Sequence, residues 1–266
     1  MLYSPIHNHS DSEALQEDLS KLEKWEEKWQ MGFNVDKCHQ LTVSTKNNII
    51  NTSYNLHGQT LEKVKDAKYL GVEISEKLSW KTHVNSITNK ANKSSAFVHR
   101  NLKGCSKQVQ AHCFKTISRP VLEYAASIWD PHQKGLINQI EMVQRRTARR
   151  IMRDFRPTSS ATEMVKELNF ENLRTRRTVD KTTMLYKIVH GLVDITAPPG
   201  VLTKTQRTTR GNDMKFLYPS SNTDVYRHSF FPSTIRLWNS LPPDAVNVTT
   251  VPAFKTRIEG WFHSQH

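Results

Sequence analysis

Residues 64–80, VKDAKYLGVEISEKLSW, decide the fold because two kinds of sequence pattern meet in them. Short alternating segments precede this stretch, and basic segments with helical periodicity follow it. Within it, Leu70, Val72 and Ile74 recur at every second position, which predicts a half-buried strand. Gly71 interrupts that strand pattern, so it predicts either a bulge or the close approach of another backbone segment. The chain is therefore predicted to be α+β and predominantly α: a small antiparallel sheet with one helix, then a basic helical bundle, then a small C-terminal module.

The net charge of +13 is concentrated in one part of the chain. Residues 81–156 hold 15 Lys and Arg against 4 Asp and Glu, whereas residues 1–80 hold 9 against 12. A concentrated basic block predicts a polyanionic partner, and nucleic acid is the natural one. We expect no membrane partner, because no apolar run approaches the roughly 18 residues that cross a bilayer. Without a secretory signal pattern, the expected location is intracellular, in the nucleus or in a cytoplasmic ribonucleoprotein.

Two predicted helices carry the basic block. The first has an apolar stripe that includes Val84, Ala91 and Val98, and its other faces are almost exclusively basic, with Lys81, Lys90, Lys93 and Arg100. The second, over residues 136–155, has its stripe at Ile137, Ile140, Val143, Thr147 and Ile151, and it carries Arg145, Arg146, Arg149, Arg150 and Arg153. Like charges at these spacings repel one another in a free helix. We interpret both faces as phosphate-contacting surfaces. The alternative is an ordinary solvated face for the first helix and, for the arginines of the second, ion pairs with acids of an upstream palm.

Four segments occur in a characteristic order along the chain. They are KYLGVEI followed by LSWKTHVNSITNKA (68–74 and 78–91), RPVLEYAASIWDP (119–131), IEMVQRRTARRIM (140–152) and SFFPSTIRLWNSLP (229–242). Together they resemble the carboxyl-terminal third of reverse transcriptases from non-LTR retrotransposons, the jockey and long-interspersed-element class. The resemblance implies three parts: the end of the palm with a primer-grip hairpin (1–78), the basic thumb and linker helices (79–196), and a small C-terminal module (197–266).

The resemblance also implies roles for single residues. Tyr69, Leu70 and Gly71 would form the primer grip, a tight hairpin that presses on the primer backbone. Lys37 would lie near the incoming nucleotide as a candidate general acid, and a solvent-exposed turn lysine is the alternative. Adjacent aspartates bind two Mg²⁺ ions in the family, but this sequence contains no Asp-Asp pair.

No metal site and no cofactor are predicted for this chain. Cys105, His112 and Cys113 fall close together, but a structural zinc site needs a second pair of ligands, which the sequence lacks. Mg²⁺ is implied only for the full-length family enzyme, and no small-molecule substrate is expected.

The function expected from these observations is that of a fragment of an RNA-directed DNA polymerase that binds RNA or an RNA–DNA duplex. Alone, it is predicted to be inactive as an enzyme. Two alternatives remain open. The first is a reverse transcriptase that works when the fingers and the rest of the palm are supplied, with an upstream polymerase half as partner. The second is a decayed or host-recruited fragment that acts through protein contacts.

Three further expectations concern packing. Leu15, Leu19, Leu22, Trp25 and Trp29 predict an amphipathic helix with both tryptophans in the core and a capping box at Ser10 and Glu13. Cations at Arg174, Arg176 and Arg177 open another predicted helix, so an anionic neighbour is expected there. The aromatic cluster around Trp238 is expected to form the core of the C-terminal module, after a polar loop at 203–210.

Overall fold

The computed structural model describes residues 1–46, 48–205 and 214–264. It is 55% helical with 7% strand, so the predicted α+β class with a predominance of helix is confirmed. The chain divides into two compact units, Met1–His83 and Val84–His266. The three-part division at 78/79 and 196/197 stays a prediction. No helix in the described ranges combines the length and the hydropathy that a bilayer crossing needs.

The first unit begins with helix α1 (His9–Trp29). Its capping box uses Asn8 and Asp11: the Asn8 side chain accepts from the Asp11 N–H at 2.9 Å, and the Asp11 carboxylate accepts from the Asn8 N–H at 3.1 Å. The box predicted at Ser10 and Glu13 is therefore wrong. Asn is as good an N-cap as Ser, and the helix starts before Ser10.

The two tryptophans of α1 are exposed, so their predicted place in the core is wrong as well. Trp29 is 59% exposed, and Trp25 is also exposed and stacks on Phe33 with ring centroids 6.3 Å apart. The core cluster of this unit, built on buried Tyr54, Leu56 and Leu61, is contacted by Leu15 and Leu19 in the first half of α1. The last turns of α1 keep the same apolar spacing, but the tryptophans there remain exposed.

Six short strands follow α1 in the first unit. They are β1 (His39–Gln40), β2 (Asn55–Leu56), β3 (Gln59–Thr60), β4 (Glu62–Lys63), β5 (Asp66–Tyr69) and β6 (Val72–Ser75). In the described residues they form three two-stranded sheets, of which β2–β3 and β5–β6 are antiparallel and β1–β4 is parallel. A turn at His57 and Gly58, both at positive φ, joins β2 to β3.

The stretch at 69–74 forms a hairpin, as the resemblance implies, and not the single strand that its alternation predicts. Tyr69 pairs with Val72, which leaves Leu70 and Gly71 as a two-residue turn with φ values of 45° and 84°. Positive φ at both central residues is the signature of a type I′ turn. Leu70 is consequently 72% exposed, while Val72 is buried. Gly71 marks the turn, so neither the bulge nor the close approach is needed to explain it.

The second unit is helical in its described residues, and α2 begins just before the unit boundary. The helices are α2 (Lys81–Asn101), α3 (Lys107–Cys113), α4 (Ala126–Trp129), α5 (Lys134–Met152), α6 (Ala161–Glu167), α7 (Leu173–Val189), α8 (Asp224–Arg227), α9 (Phe230–Ser240), α10 (Pro243–Val246) and α11 (Val251–Ser264). A short π segment (Phe114–Ser118) and a 3₁₀ segment (Arg119–Leu122) connect α3 to α4.

One large core in this unit joins α7, α9 and α11. Tyr186 of α7 stacks on Phe254 of α11 with centroids 4.3 Å apart, and Trp238 of α9 lies 5.8 Å from Phe254. All three rings are buried, which confirms the predicted burial of the aromatic cluster around Trp238, and the core also includes Tyr186 from the part predicted as thumb and linker helices. Residues 206–210 of the predicted polar loop lie outside the described residues.

His83 fixes the β5–β6 hairpin to the first turn of α2, and this contact predicts a pH dependence. Its Nδ1 accepts a hydrogen bond from the Glu73 N–H at 3.2 Å. Burial lowers the pKa of His83; the Glu73 carboxylate opposes this, and Lys68 adds to it. Near its ordinary pKa, His83 is therefore protonated more readily in the unfolded chain than in the folded one. We expect the free energy of unfolding to fall as pH drops below about 6.5, as measured by urea denaturation.

His83→Gln is the control for this prediction. It removes the titrating group, so it should flatten the pH profile in the same window. A profile in H83Q as steep as that of the unmutated chain would contradict the assignment to His83.

Candidate nucleic-acid interface

Helix α2 presents an exposed basic face. Its stripe of Val84, Ala91 and Val98 is buried, and this periodicity leaves the opposite side of the helix to solvent. Lys90, Lys93 and Arg100 are all exposed on that side, and we call them the α2 basic face. Lys81, the first residue of the helix, is exposed too.

Helix α5 has the buried stripe that its sequence predicts. Ile140, Val143, Thr147 and Ile151 are buried, and Ile137 is partly buried. Arg145 and Arg146 are exposed, and we call them the α5 basic face. The other predicted arginines of this helix have different surroundings.

Arg149 and Arg153 bind carbonyl oxygens of this chain. Arg149 donates to the carbonyls of Arg156 at 3.1 Å and Ser159 at 2.8 Å, which closes the loop after α5. Arg153 ends the helix at a φ of 55° and donates to the carbonyl of Lys103. Both guanidinium groups therefore hold the backbone in place as well as carrying charge.

Arg150 is half-buried. Burial lowers its pKa, and the neighbouring charge of Arg146 lowers it further. Its Nη1 is buried and has no hydrogen-bond partner among the described residues. Of the five predicted arginines, Arg145 and Arg146 are thus the best placed to meet a partner in solution.

Side-chain hydrogen bonds join α2 to α5. Ser95 Oγ lies 2.7 Å from Thr147 Oγ1 in a buried contact, and Gln139 Nε2 donates to Asn85 Oδ1 at 2.8 Å and to Thr88 Oγ1 at 3.1 Å. The contacts advance in the same direction along both helices, so α2 and α5 run side by side and parallel. The two basic faces are therefore carried by neighbouring helices.

Three of the four carboxylates of residues 81–156 pair with cations outside these faces. Glu123 pairs with Arg119 and Arg176, and Asp130 pairs with Arg177 and Lys181. Asp154 pairs with Arg156 at 2.8 Å.

Glu141, the remaining carboxylate of the block, caps α7. Its oxygens accept the N–H groups of Leu173 at 3.4 Å and Arg174 at 2.8 Å. Burial raises the pKa of Glu141, while these hydrogen bonds and the charges of Arg177 and Arg145 oppose the rise.

The cations that open α7 have neighbours within the chain. Arg176 pairs with Glu123 and Glu171, and Arg177 is 0% exposed with its Nε 2.9 Å from Asp130. The anionic neighbours of Arg176 and Arg177 are thus the chain's own carboxylates, whereas Arg174 is exposed. A fully buried Arg177 has no surface to offer to nucleic acid.

The residues predicted for the primer grip and for proton transfer lie in the first unit. Tyr69, Leu70 and Gly71 are exposed at the tip of the β5–β6 hairpin. Lys37 ends a short 3₁₀ segment (Val35–Lys37), and its side chain is exposed. These roles stay predictions.

The described part of the chain contains no cluster of three or more side chains that could hold a metal ion. No three His, Cys, Asp or Glu side chains come together there in a way that fits one, and this includes Cys105, His112 and Cys113. The Mg²⁺ that the resemblance implies for the full-length enzyme stays a prediction.

Phe97 is the residue of this surface that the sequence interpretation missed. It is 60% exposed on α2 and follows Lys93 by four residues and precedes Arg100 by three. That spacing places it on the α2 basic face. The signal was present in the sequence, because Phe97 lies off the apolar stripe that Val84, Ala91 and Val98 define.

Sequence comparison relates about half of the chain to RNA-directed DNA polymerases of non-LTR retrotransposons. The chain is 28% identical over 145 residues to the RNA-directed DNA polymerase from mobile element jockey of Drosophila melanogaster, a match that covers 52% of the chain and 15% of that polymerase. Identity is 26% over 147 residues to the jockey polymerase of Drosophila funebris, covering 53% of the chain and 16% of the relative. It is 25% over 163 residues to the probable RNA-directed DNA polymerase from transposon BS of Drosophila melanogaster, covering 57% and 17%.

The matched stretch thus spans 15–17% of the length of these relatives. No family model matches the sequence. No solved structure matches it either.

The contrast between Arg149 and Arg145 predicts different effects on stability. Arg149→Ala leaves three loop carbonyls without their charged donor, so it should lower the free energy of unfolding by about 2 kcal/mol. Arg145→Ala removes an exposed side chain and should change it by less than about 0.5 kcal/mol. Chemical denaturation of both variants measures the difference, and equal losses would show that Arg149 does not hold the loop.

Proposed function

We propose that this chain is a nucleic-acid-binding fragment of a retrotransposon RNA-directed DNA polymerase, and that it grips a template–primer duplex or the element RNA. Homology to such polymerases supports the general class. The observation that carries the finer proposal is the pair of exposed basic faces on α2 and α5. Three carboxylates of the same block pair with other cations, and the fourth, Glu141, caps α7 and interacts with this pair of faces through Arg145.

Phosphates are the counter-charge that fits these faces best. Lysine makes point-charge contacts and arginine makes forked ones, and neither reads the base sequence when it binds phosphate. Neutralising phosphates releases the counterions condensed on the nucleic acid, so the proposed binding is strongly salt-dependent. Lys81, Arg149, Arg150 and Arg153 add positive charge to the same two helices.

Exposed apolar side chains in the first unit support a protein partner as well. Trp25 and Trp29 of α1 are exposed, and so are Met31 and Phe33 just after it. Contiguous exposed apolar side chains in a soluble protein mark interaction surfaces more often than isolated ones do. We propose an upstream polymerase half as this partner, within an intracellular complex in the nucleus or in a cytoplasmic ribonucleoprotein.

Removal of charge from the α5 basic face tests the binding proposal. In R145Q/R146Q, log Kd should depend less steeply on log salt, by about 0.7 to 0.9 for each phosphate that the variant no longer neutralises. Fluorescence anisotropy with a labelled RNA–DNA duplex between about 50 and 200 mM salt measures this slope.

A matched variant, R227Q/R257Q, controls for net charge in that experiment. It removes the same formal charge from exposed arginines that pair with Asp224 and Asp244. Its slope should stay close to that of the unmutated chain. Equal slopes in the two double variants would rule out α5 as a binding surface.

Primer extension tests the proposal that this chain alone does not polymerise. The two-metal reaction needs adjacent carboxylates, and the sequence contains no Asp-Asp pair. We expect no extension of a primed RNA template by the purified chain with Mg²⁺ or Mn²⁺, while an active reverse transcriptase extends the same template. Extension above a no-protein control would favour the enzyme alternative.

A further inference from the structure

We infer that Phe97 is a base-stacking residue and that the α2 basic face binds single-stranded nucleic acid, or the unpaired end of a duplex. The inference rests on the proposed function and names the form of nucleic acid that this face takes. Relationship to a polymerase does not by itself imply an exposed stacking residue on this helix. It comes from one exposed aromatic ring set within a row of cations.

The geometry of α2 brings the ring and the cations together. Lys90, Lys93, Phe97 and Arg100 follow one another at spacings of three, four and three residues, so they form a single stripe along the helix. All four are exposed, and the Phe97 side chain is 60% exposed. At 1.5 Å per residue the stripe is about 15 Å long. A stacked strand presents about four phosphates over that length, at about 3.4 Å each.

A single exposed phenylalanine would need no explanation on a surface of mixed charge. The surroundings of Phe97 differ from such a surface, since the stripe contains three cations and no carboxylate. The charge favours an anionic partner, and the ring favours a flat apolar one. A nucleotide combines both properties, because its phosphate meets the lysines and its base has a face that stacks on an aromatic ring.

Stacking on Phe97 selects unpaired bases. In a duplex, both faces of an internal base are already covered by its neighbours, so the ring competes only for bases that are splayed out or in an unpaired overhang. An acidic protein segment is the competing partner for a stripe of this kind. It would satisfy the cations, but it would leave binding of nucleic acid independent of Phe97.

The test compares Phe97 variants of the full chain in binding to a labelled single-stranded oligonucleotide and to a blunt RNA–DNA duplex. F97A should weaken single-strand binding about tenfold, within the range for loss of one stacked base, and blunt-duplex binding by much less. F97L should bind single strands as weakly as F97A, because leucine keeps apolar volume without a π-face. F97W should bind them at least as tightly as the unmutated chain.

Two comparisons separate stacking from other causes. Y226A removes an aromatic side chain that is exposed on α8, outside any row of cations, and should leave binding unchanged. K93Q should make the salt dependence shallower by about 0.7, whereas F97A should leave the salt dependence as it is.

The outcomes distinguish this inference from the proposed function. If F97A binds single strands like the unmutated chain while K93Q binds more weakly, Phe97 does not stack and the electrostatic proposal stands. Equal losses on single strands and blunt duplexes would overturn the selection of unpaired bases. If the unmutated chain binds neither nucleic acid, both proposals fail.

Discussion

Asp130 accepts hydrogen bonds from Arg177 at 2.9 Å and from Lys181 at 2.7 Å, and the distribution of charge in the second unit depends on such internal pairs. Arg177 is fully buried, with its guanidinium 6.0 Å from the Trp129 ring. A buried charge is strongly destabilising when its partner is removed, so the Asp130 carboxylate is needed to neutralise Arg177 in the interior. Glu123 likewise forms an ion pair with Arg176, and Glu141 accepts backbone hydrogen bonds at the start of α7. The fold thus uses its scarce carboxylates inside and leaves the surface of α2 and α5 without them.

Arginine serves three purposes within this one unit, and its chemistry explains why. The guanidinium has five donors in a fixed plane and stays charged at any relevant pH. At Arg149 the guanidinium donates hydrogen bonds to loop carbonyls, and at Arg177 it is buried against Asp130 and Trp129. At Arg145 and Arg146 the same group faces solvent. A count of basic residues therefore overstates the surface available to a polyanion, and only contacts separate the structural arginines from the exposed ones.

Features set by local periodicity could be predicted from the sequence. The buried stripe of α5 follows from a 3.6-residue repeat, and the turn at His57 and Gly58 follows from turn chemistry. Features that depend on distant partners could not. Trp25 and Trp29 continue the apolar period of α1, but whether a helical face is covered depends on residues far along the chain. Alternation in 69–74 fits one strand as well as a hairpin, and only the pairing of Tyr69 with Val72 decides between them.

A surface made of lysines, exposed arginines and one aromatic ring has a consequence for selectivity. Phosphate contacts carry no sequence information, and stacking tolerates every base because every base has a π-face. The binding proposed for the stripe of Lys90, Lys93, Phe97 and Arg100 therefore discriminates by the form of the nucleic acid, paired or unpaired, and not by its sequence. A polymerase that must traverse a whole template needs this kind of grip, since a base-specific contact would hold it at one position.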